Sequence, residues 1–318
     1  MATRSSRGYG LTPQQSTVNT STVNSNPEFL LFAQHGWADT SKNLGNLASS
    51  AASSQTMVIA PSLGLVKTFI RIDPLVVQLE QIAAKAIANY PDTPIKIIGH
   101  SMGGLMWLEV LDRNPQWWHK VHSFILLGSP VGGSNIARLI DPLNIGIGTA
   151  RDLGKNRRDM AQKIAQQIPT LSVASDTGMG TDGLVTVENT KFDYANWLLI
   201  SGIPHSAMRY HPDMIPILQN FWQNPQLGLS PEITSINRYI RSLRSVPGMT
   251  DSDYRGFERS QIIATLPEDL TLHTWNNPWG MNHVYLGKQQ QCLYAGYVGF
   301  IHSRDLRRAI AQIQQSAF

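Results

Sequence analysis

The chain of 318 residues holds one cysteine, Cys292, so no internal disulfide can form and the fold must rest on packing. A lone thiol fits a reducing compartment, and with no histidine or lysine beside it in sequence Cys292 reads as a small core residue rather than a reactive one. No apolar run reaches the length of a membrane-spanning helix. Residues 8–27, where a secretory signal needs a continuous apolar segment, offer Ser, Thr, Asn, Gln and scattered Val, so the expectation is a soluble cytoplasmic protein. Charge is scarce too. Charged residues are 15% of the chain and the net charge is +4, with Lys and Arg dispersed apart from Arg151 to Lys163 and Arg304 to Arg308. That is too thin a basic footprint for a nucleic-acid partner, and both stretches read as solvated helix faces. No internal repeat is evident.

What the chain does have is enough apolar material for one sizeable core and an appendage. Residues 1–27 cannot bury enough surface to offset their ordering entropy and are expected to form a flexible arm. Short apolar runs then follow at Glu28 to Ala33, Thr56 to Ala60, Ile95 to Ile98, Ser123 to Leu127, Thr170 to Ala174 and Trp197 to Ile200. They lack polar alternation, the pattern of strands buried on both faces of a parallel sheet. Between them, Pro74 to Tyr90 places Leu75, Val76, Leu79, Ile82, Ala83, Ala86 and Ile87 on one helical face, and Met102 to Arg113 repeats the pattern. Alternating strand and helix over residues 28–224 predicts an α/β domain with a mainly parallel central sheet flanked by helices. "NPQLGLSPEI" reads as a linker, and residues 225–318 as an α+β appendage: a helix near Ile233 to Leu243, strand-like pieces around Gln261 to Thr274 and Cys292 to Ile301, and a helix from Arg304 to Gln315.

"KIIGHSMGGL" sets Ser101 between Gly99 and Gly103 at the end of a predicted buried strand and the start of a predicted helix. The five-residue pattern alone is too common to decide anything. In this setting, however, a tight strand-to-helix turn strains the residue at its tip, and only small neighbours tolerate the close approach. Ser101 is therefore a candidate nucleophile, Gly99 and Gly103 shape its elbow, and the amide of Met102 can donate to a developing oxyanion. A serine hydroxyl needs a base, and the base needs a carboxylate to fix its tautomer. Downstream, "TDGLVTVEN" supplies Asp182 and "LLISGIPHSAM" supplies His205, both where strand ends meet loops at the carboxyl edge. Asp176, directly at its strand's end, is the rival for the acid. His100 is expected to point into the turn, His119 and His122 to precede a strand at the opposite edge, and His211 to lie in a helix. "DTGMGTDG" is no calcium loop, since Gly178 and Gly180 offer no side-chain ligands and Val187 stands where a bidentate glutamate is needed. For a second oxyanion donor, Gly36 is expected to let the backbone turn so that the amide of Trp37 faces Ser101.

In order, "FAQHGWADT", "KIIGHSMGGL", "ILLGSPVGGS", "DGLVTVEN" and "GIPHSAM" resemble the α/β-hydrolase superfamily, in particular its lipase and esterase branch. The likeness covers roughly residues 28–222 and departs where Val131 follows Pro130 and where "SDTGMG" lengthens the approach to the acid. It implies Ser101 as nucleophile, His205 as base and then acid, Asp182 as its partner, and the amides of Trp37 and Met102 as oxyanion hole. It further implies carboxylic ester hydrolysis through an acyl-enzyme, with no metal or organic cofactor. Residues 135–168 stand where related enzymes insert a cap. That segment, with Trp37, Met102, Leu105, Met106 and Met208, is expected to form an apolar mouth, favouring an apolar acyl or lipid-like small-molecule substrate and leaving room for peripheral contact with a lipid surface. Thioesters, amides and acyl transfer to an alcohol stay open, as does a non-catalytic binding protein on the same fold.

Overall fold

The computed structural model describes residues 26–37, 39–63, 71–133, 155–230, 232–278 and 280–316. Residues 1–25 of the expected arm and residues 135–154 of the expected cap lie outside the described residues. Six strands form one sheet: β1 (Phe29–Gln34), β2 (Thr56–Ile59), β3 (Ile95–His100), β4 (Val121–Leu127), β5 (Thr170–Asp176) and β6 (Asn196–Ser201). Their order is β2-β1-β3-β4-β5-β6, with every neighbouring pair parallel. The winding reverses between β1 and β3, so the loops leaving those two strands diverge and open a crevice at the carboxyl edge.

Side-chain alternation decides which helix each strand meets. Leu30 and Phe32 of β1, Ile97 of β3, and Phe124 and Leu126 of β4 enter one core with α2 (Asp73–Asn89), α3 (Met102–Arg113) and α4 (Arg158–Ala165). Leu31, Ala33, Ile98, Ile125 and Leu127 enter the other, with α1 (Ser41–Ala51) and α5 (Met214–Gln223). Each such Leu, Ile or Phe contributes about 1.5–3 kcal/mol on burial. The expected two-faced burial fails most at β6, where Trp197, Leu198 and Leu199 stay 36–43% exposed, and is incomplete at β2, where Met57 and Val58 are half-buried. These are the two edge strands of the sheet, each with a neighbour on one side only. The polar helix expected late in the cap segment is α4, which sends Ala161, Ile164 and Ala165 into the core.

A second, antiparallel sheet follows, of β7 (Thr250–Asp251), β8 (Gln261–Leu266), β9 (Leu270–Asn276), β10 (Asn282–Lys288) and β11 (Gln291–Val298), in the order β7-β11-β10-β9-β8. Helices α6 (Ser235–Arg244) and α7 (Ser303–Ser316) pack on it through Leu243, Leu306, Ile310 and Ile313. The strand-like piece expected over 261–274 is two strands, split at Pro267, where Glu268 and Asp269 take φ of 63° and 58°. The piece expected to run to Ile301 stops at Val298 and turns.

The two sheets meet through buried charge. Arg158 of α4 donates to the carbonyls of Glu188 (2.9 Å) and Lys191 (3.0 Å) and pairs with Asp251 of β7. Arg244 of α6 reaches Asp251 and Glu188, each at 3.0 Å, and the Tyr294 hydroxyl donates to Asp251 at 2.9 Å. Burial alone would raise the Asp251 carboxyl, but Arg244 and Arg158 together hold it below its usual 3.8. Buried charges persist only when paired in this way. Cys292 is half-buried in β11, its Sγ donating to the Tyr294 carbonyl at 3.3 Å, and burial pushes its thiol up to about 12.

Candidate active site

Ser101 stands between β3 and α3 with φ 55° and ψ −126°, a conformation that side-chain-bearing residues rarely adopt. The neighbouring glycines explain how the turn closes. A Cβ on Gly99 would strike the backbone of Gly104, and one on Gly103 would strike the carbonyls of Gln34 and His35 at the end of β1. Helix α3 therefore begins in backbone-to-backbone contact with both β3 and the loop after β1. Gly36 lies on the other side of the serine. Its requirement is space rather than the turn freedom expected of it, since a Cβ there would sit 2.8 Å from Ser101 Cβ and 3.3 Å from the Met102 nitrogen. Gly36, the residue before Trp37, thus packs directly against Ser101 and the first amide nitrogen of α3, that of Met102. The Met102 N–H is one of the donors a helix leaves without an intrahelical partner.

His205 opens a single 3-10 turn after β6. Its backbone N–H donates to the Asp182 carbonyl at 3.0 Å, and its Nδ1 donates to Asp182 Oδ2 at 2.7 Å. Asp182 Oδ1 in turn accepts from the amides of Leu184 (2.9 Å) and Val185 (2.7 Å), which fixes the carboxylate plane. Asp176 is used elsewhere: its Oδ1 accepts from Gly178, Gly180 and Thr181 at 2.7, 3.1 and 3.3 Å and closes its own loop. The imidazole reaches the serine turn by two contacts. The Ser101 N–H donates to the Leu127 carbonyl at 2.9 Å, and a Cβ on the next residue, Gly128 (φ +55°), would lie 3.1 Å from His205 Nδ1. The ring of His100, the residue before Ser101, packs on the His205 ring with centroids 4.8 Å apart.

His100 does more than fill the turn. A carbonyl can only accept, so its Nε2 carries the proton donated to the His205 carbonyl at 3.0 Å. Burial, helped by repulsion from His205, holds its pKa well below the usual 6.5. His35 is neutral for the same leading reason, its Nδ1 donating to the Gly36 carbonyl at 2.9 Å. Both imidazoles thus stay uncharged beside the site. On unfolding each regains a pKa near 6.5, so stability is complete above that pH and is lost as pH falls from 6.5 toward the folded values. Urea midpoints are expected to fall between pH 7.5 and 5.5, with His100 contributing about 1.4 kcal/mol in total across that window as its unfolded imidazole takes up a proton, and the less strongly shifted His35 a smaller share. His100→Gln should remove its own share; equal slopes in parent and variant would show that His100 titrates normally.

Other histidines sit away from the serine. His122 lies within β4 rather than before it, its ring edge on Phe29, and His119 lies in the 3-10 turn preceding that strand. His211 is in the turn before α5, not in a helix, because Pro212 follows it. The apolar mouth needs correction too. Met102, Leu105, Met106 and Met208 are fully buried and belong to the two cores, while Trp37 is partly exposed. Sequence reasoning missed the Arg209–Asp39 pair, 3.0 Å, which ties the loop carrying Trp37 to the loop carrying His205. Each residue lies four positions beyond a histidine of interest, but nothing local links the two.

Residues 25–185, just over half of the chain, match the family model described as serine aminopeptidase, S33. No curated protein matches the chain. Among solved structures it is similar to the lipase BlEst2 of Bacillus licheniformis in mature form, at 17% identity and TM-score 0.48, over 62% of this chain and 92% of that one. The propeptide form of that lipase aligns at 14% identity and TM-score 0.49, over 86% and 71%. Est1E from Butyrivibrio proteoclasticus, with ferulic acid bound, aligns at 16% identity and TM-score 0.49, over 64% and 91%.

Proposed function

Because the chain belongs to the serine aminopeptidase S33 family of α/β-hydrolases, we propose that it is a serine hydrolase cleaving carboxylic esters through an acyl-enzyme. The observation that supports this most directly is the strained Ser101 at the head of α3 beside the 2.7 Å His205–Asp182 pair. Ser101 Oγ attacks the acyl carbon as its proton passes to His205 Nε2, the nitrogen left as acceptor because Nδ1–H is committed to Asp182. The carbonyl π electrons move onto oxygen, and the amides of Trp37 and Met102 receive that oxyanion. Collapse breaks the ester bond, and His205 returns its proton to the departing alkoxide. Water then repeats the sequence on the acyl-enzyme and releases the acid.

An ester is favoured over an aminopeptidase substrate by how the carboxylates among the described residues around the site are used. A peptide amino terminus needs an anionic partner, yet Asp39 is engaged by Arg209, Asp176 by loop amides, Asp182 by His205, and Glu188 by Arg244 and Lys191. Met102, Leu105, Met106 and Met208 are core and do not argue for a long acyl chain. The test is a substrate panel: p-nitrophenyl esters from acetate to palmitate against amino-acid p-nitroanilides, with fluorophosphonate labelling of the same preparations. Ester turnover and a labelled Ser101 are expected. Anilide cleavage without ester cleavage would overturn the substrate class, and a folded protein inert to the probe would overturn the chemistry.

A further inference from the structure

The segment from Asp176 to Thr190 carries Asp182, and it is held from outside by the C-terminal sheet. Tyr254, in the loop after β7, donates its backbone N–H to the Met179 carbonyl at 2.9 Å. Its ring lies flat against Gly180, where a Cβ would sit 2.7–2.9 Å from ring carbons, and Gly180 has φ +76°. The Tyr254 hydroxyl donates to Glu188 Oε1 at 3.2 Å, and Arg244 reaches Glu188 Oε2 at 3.0 Å. Glu188 is 1% exposed, so its carboxylate depends on these partners and on Lys191 at 2.5 Å. One side chain of the C-terminal domain thus grips the segment two residues before Asp182 and again six residues after it, and the same residue's backbone N–H holds the position three before.

A single antiparallel bridge joins Thr181 to Thr186, and the Val187 N–H returns to the Gly180 carbonyl at 2.9 Å. Both of these internal links move with residues 180–188 as a unit. What fixes the unit against the rest of the molecule is β5 at one end, the His205 contacts and the core-packed Val185 at its centre, Arg158 of α4 and the Gly132 amide on Glu188 and Asn189 at its far end, and Tyr254 with Arg244 at its flank.

We infer that the C-terminal domain is a positioning part of the active site, with Tyr254 and Arg244 setting the place of Asp182 by holding both ends of its segment. The catalytic consequence rests on the hydrolase reading above; the positioning itself does not. Releasing the grip leaves the Asp182–His205 pair to wander by a fraction of an ångström to an ångström, a displacement that costs about ten- to a hundredfold in turnover.

The experiment compares Tyr254→Ala, Tyr254→Phe and Leu306→Ala in the full chain, with kcat normalised to fluorophosphonate-titrated sites. Tyr254→Ala is expected to lower kcat about tenfold or more with little change in KM, and to shift the low-field proton NMR resonance of the His205 Nδ1–H. Tyr254→Phe keeps the ring and the backbone donor and should retain most of the rate. Leu306→Ala loosens the same domain's core away from the segment and should leave per-site kcat unchanged. In an Asp182→Asn background Tyr254→Ala should add nothing, since it acts through that residue. A reactive parent whose Tyr254→Ala form matches it in kcat and resonance overturns the positioning role. An unreactive parent whose resonance still moves in Tyr254→Ala overturns the hydrolase reading and supports the positioning.

Discussion

Ser101→Ala is expected to lower kcat for ester cleavage by about a millionfold, His205→Ala by a similar factor, and the double variant by no more than either alone. The non-additivity is the informative part. Nucleophile and base act as one unit, so removing either leaves only the residual rate from substrate binding and the two oxyanion amides. Backbone amides survive both substitutions, which is why the loss stops there. Ser101 also supplies a stability test independent of turnover. At φ 55° and ψ −126° any side chain is strained, at a cost on the order of 1–3 kcal/mol. Ser101→Gly should therefore be inactive yet more stable than Ser101→Ala, read as a higher urea midpoint. Equal midpoints would mean that the elbow is not strained, and a labelled Ser101→Ala protein would put the reactive group elsewhere.

The elbow was legible because all its determinants are local. Gly99, Gly103 and the apolar run Ile95 to Ile98 lie within nine residues, and each glycine permits a close backbone approach that a Cβ would exclude. Helix α1 was not anticipated: Ser41 to Ala51 is rich in Ser, Asn and Gly, poor helix formers, and only the spacing of Leu44, Leu47, Ala48 and Ala51 records the face it buries. The misread mouth has a different cause. Nearly every residue of α3 from Met102 to Leu111 is buried, because the helix is covered by the sheet on one side and by α2 and α4 on the other. Periodicity distinguishes buried from exposed faces, and here there was little exposed face to contrast. Strand β10 was missed within "NHVYLGK", where Gly280 before it and Gly287 inside it read as loop punctuation. The grip of Tyr254 on Gly180 joins positions more than seventy residues apart, and no local pattern in the chain announces such a contact.

Asp182→Asn is expected to lower kcat by about ten-thousandfold, while Asp176→Asn costs less than about tenfold. The size of the first effect follows from which oxygen is already spoken for. Asp182 Oδ1 accepts from the amides of Leu184 and Val185, so an asparagine there must keep its carbonyl oxygen toward them. Its NH2 group is then forced toward His205 Nδ1, which has to become an acceptor. The imidazole proton moves to Nε2, and the nitrogen that should take the Ser101 proton no longer can. KM should barely change, because neither atom touches the ground-state substrate. At Asp176 the same substitution leaves an acceptor oxygen for Gly178, Gly180 and Thr181, so the loop stays closed and the effect is confined to a weakened set of charge-assisted bonds. Steady-state kinetics on one soluble ester with both variants decides the matter. If Asp176→Asn is crippled while Asp182→Asn turns over normally, the acid of this site is not the residue that holds His205.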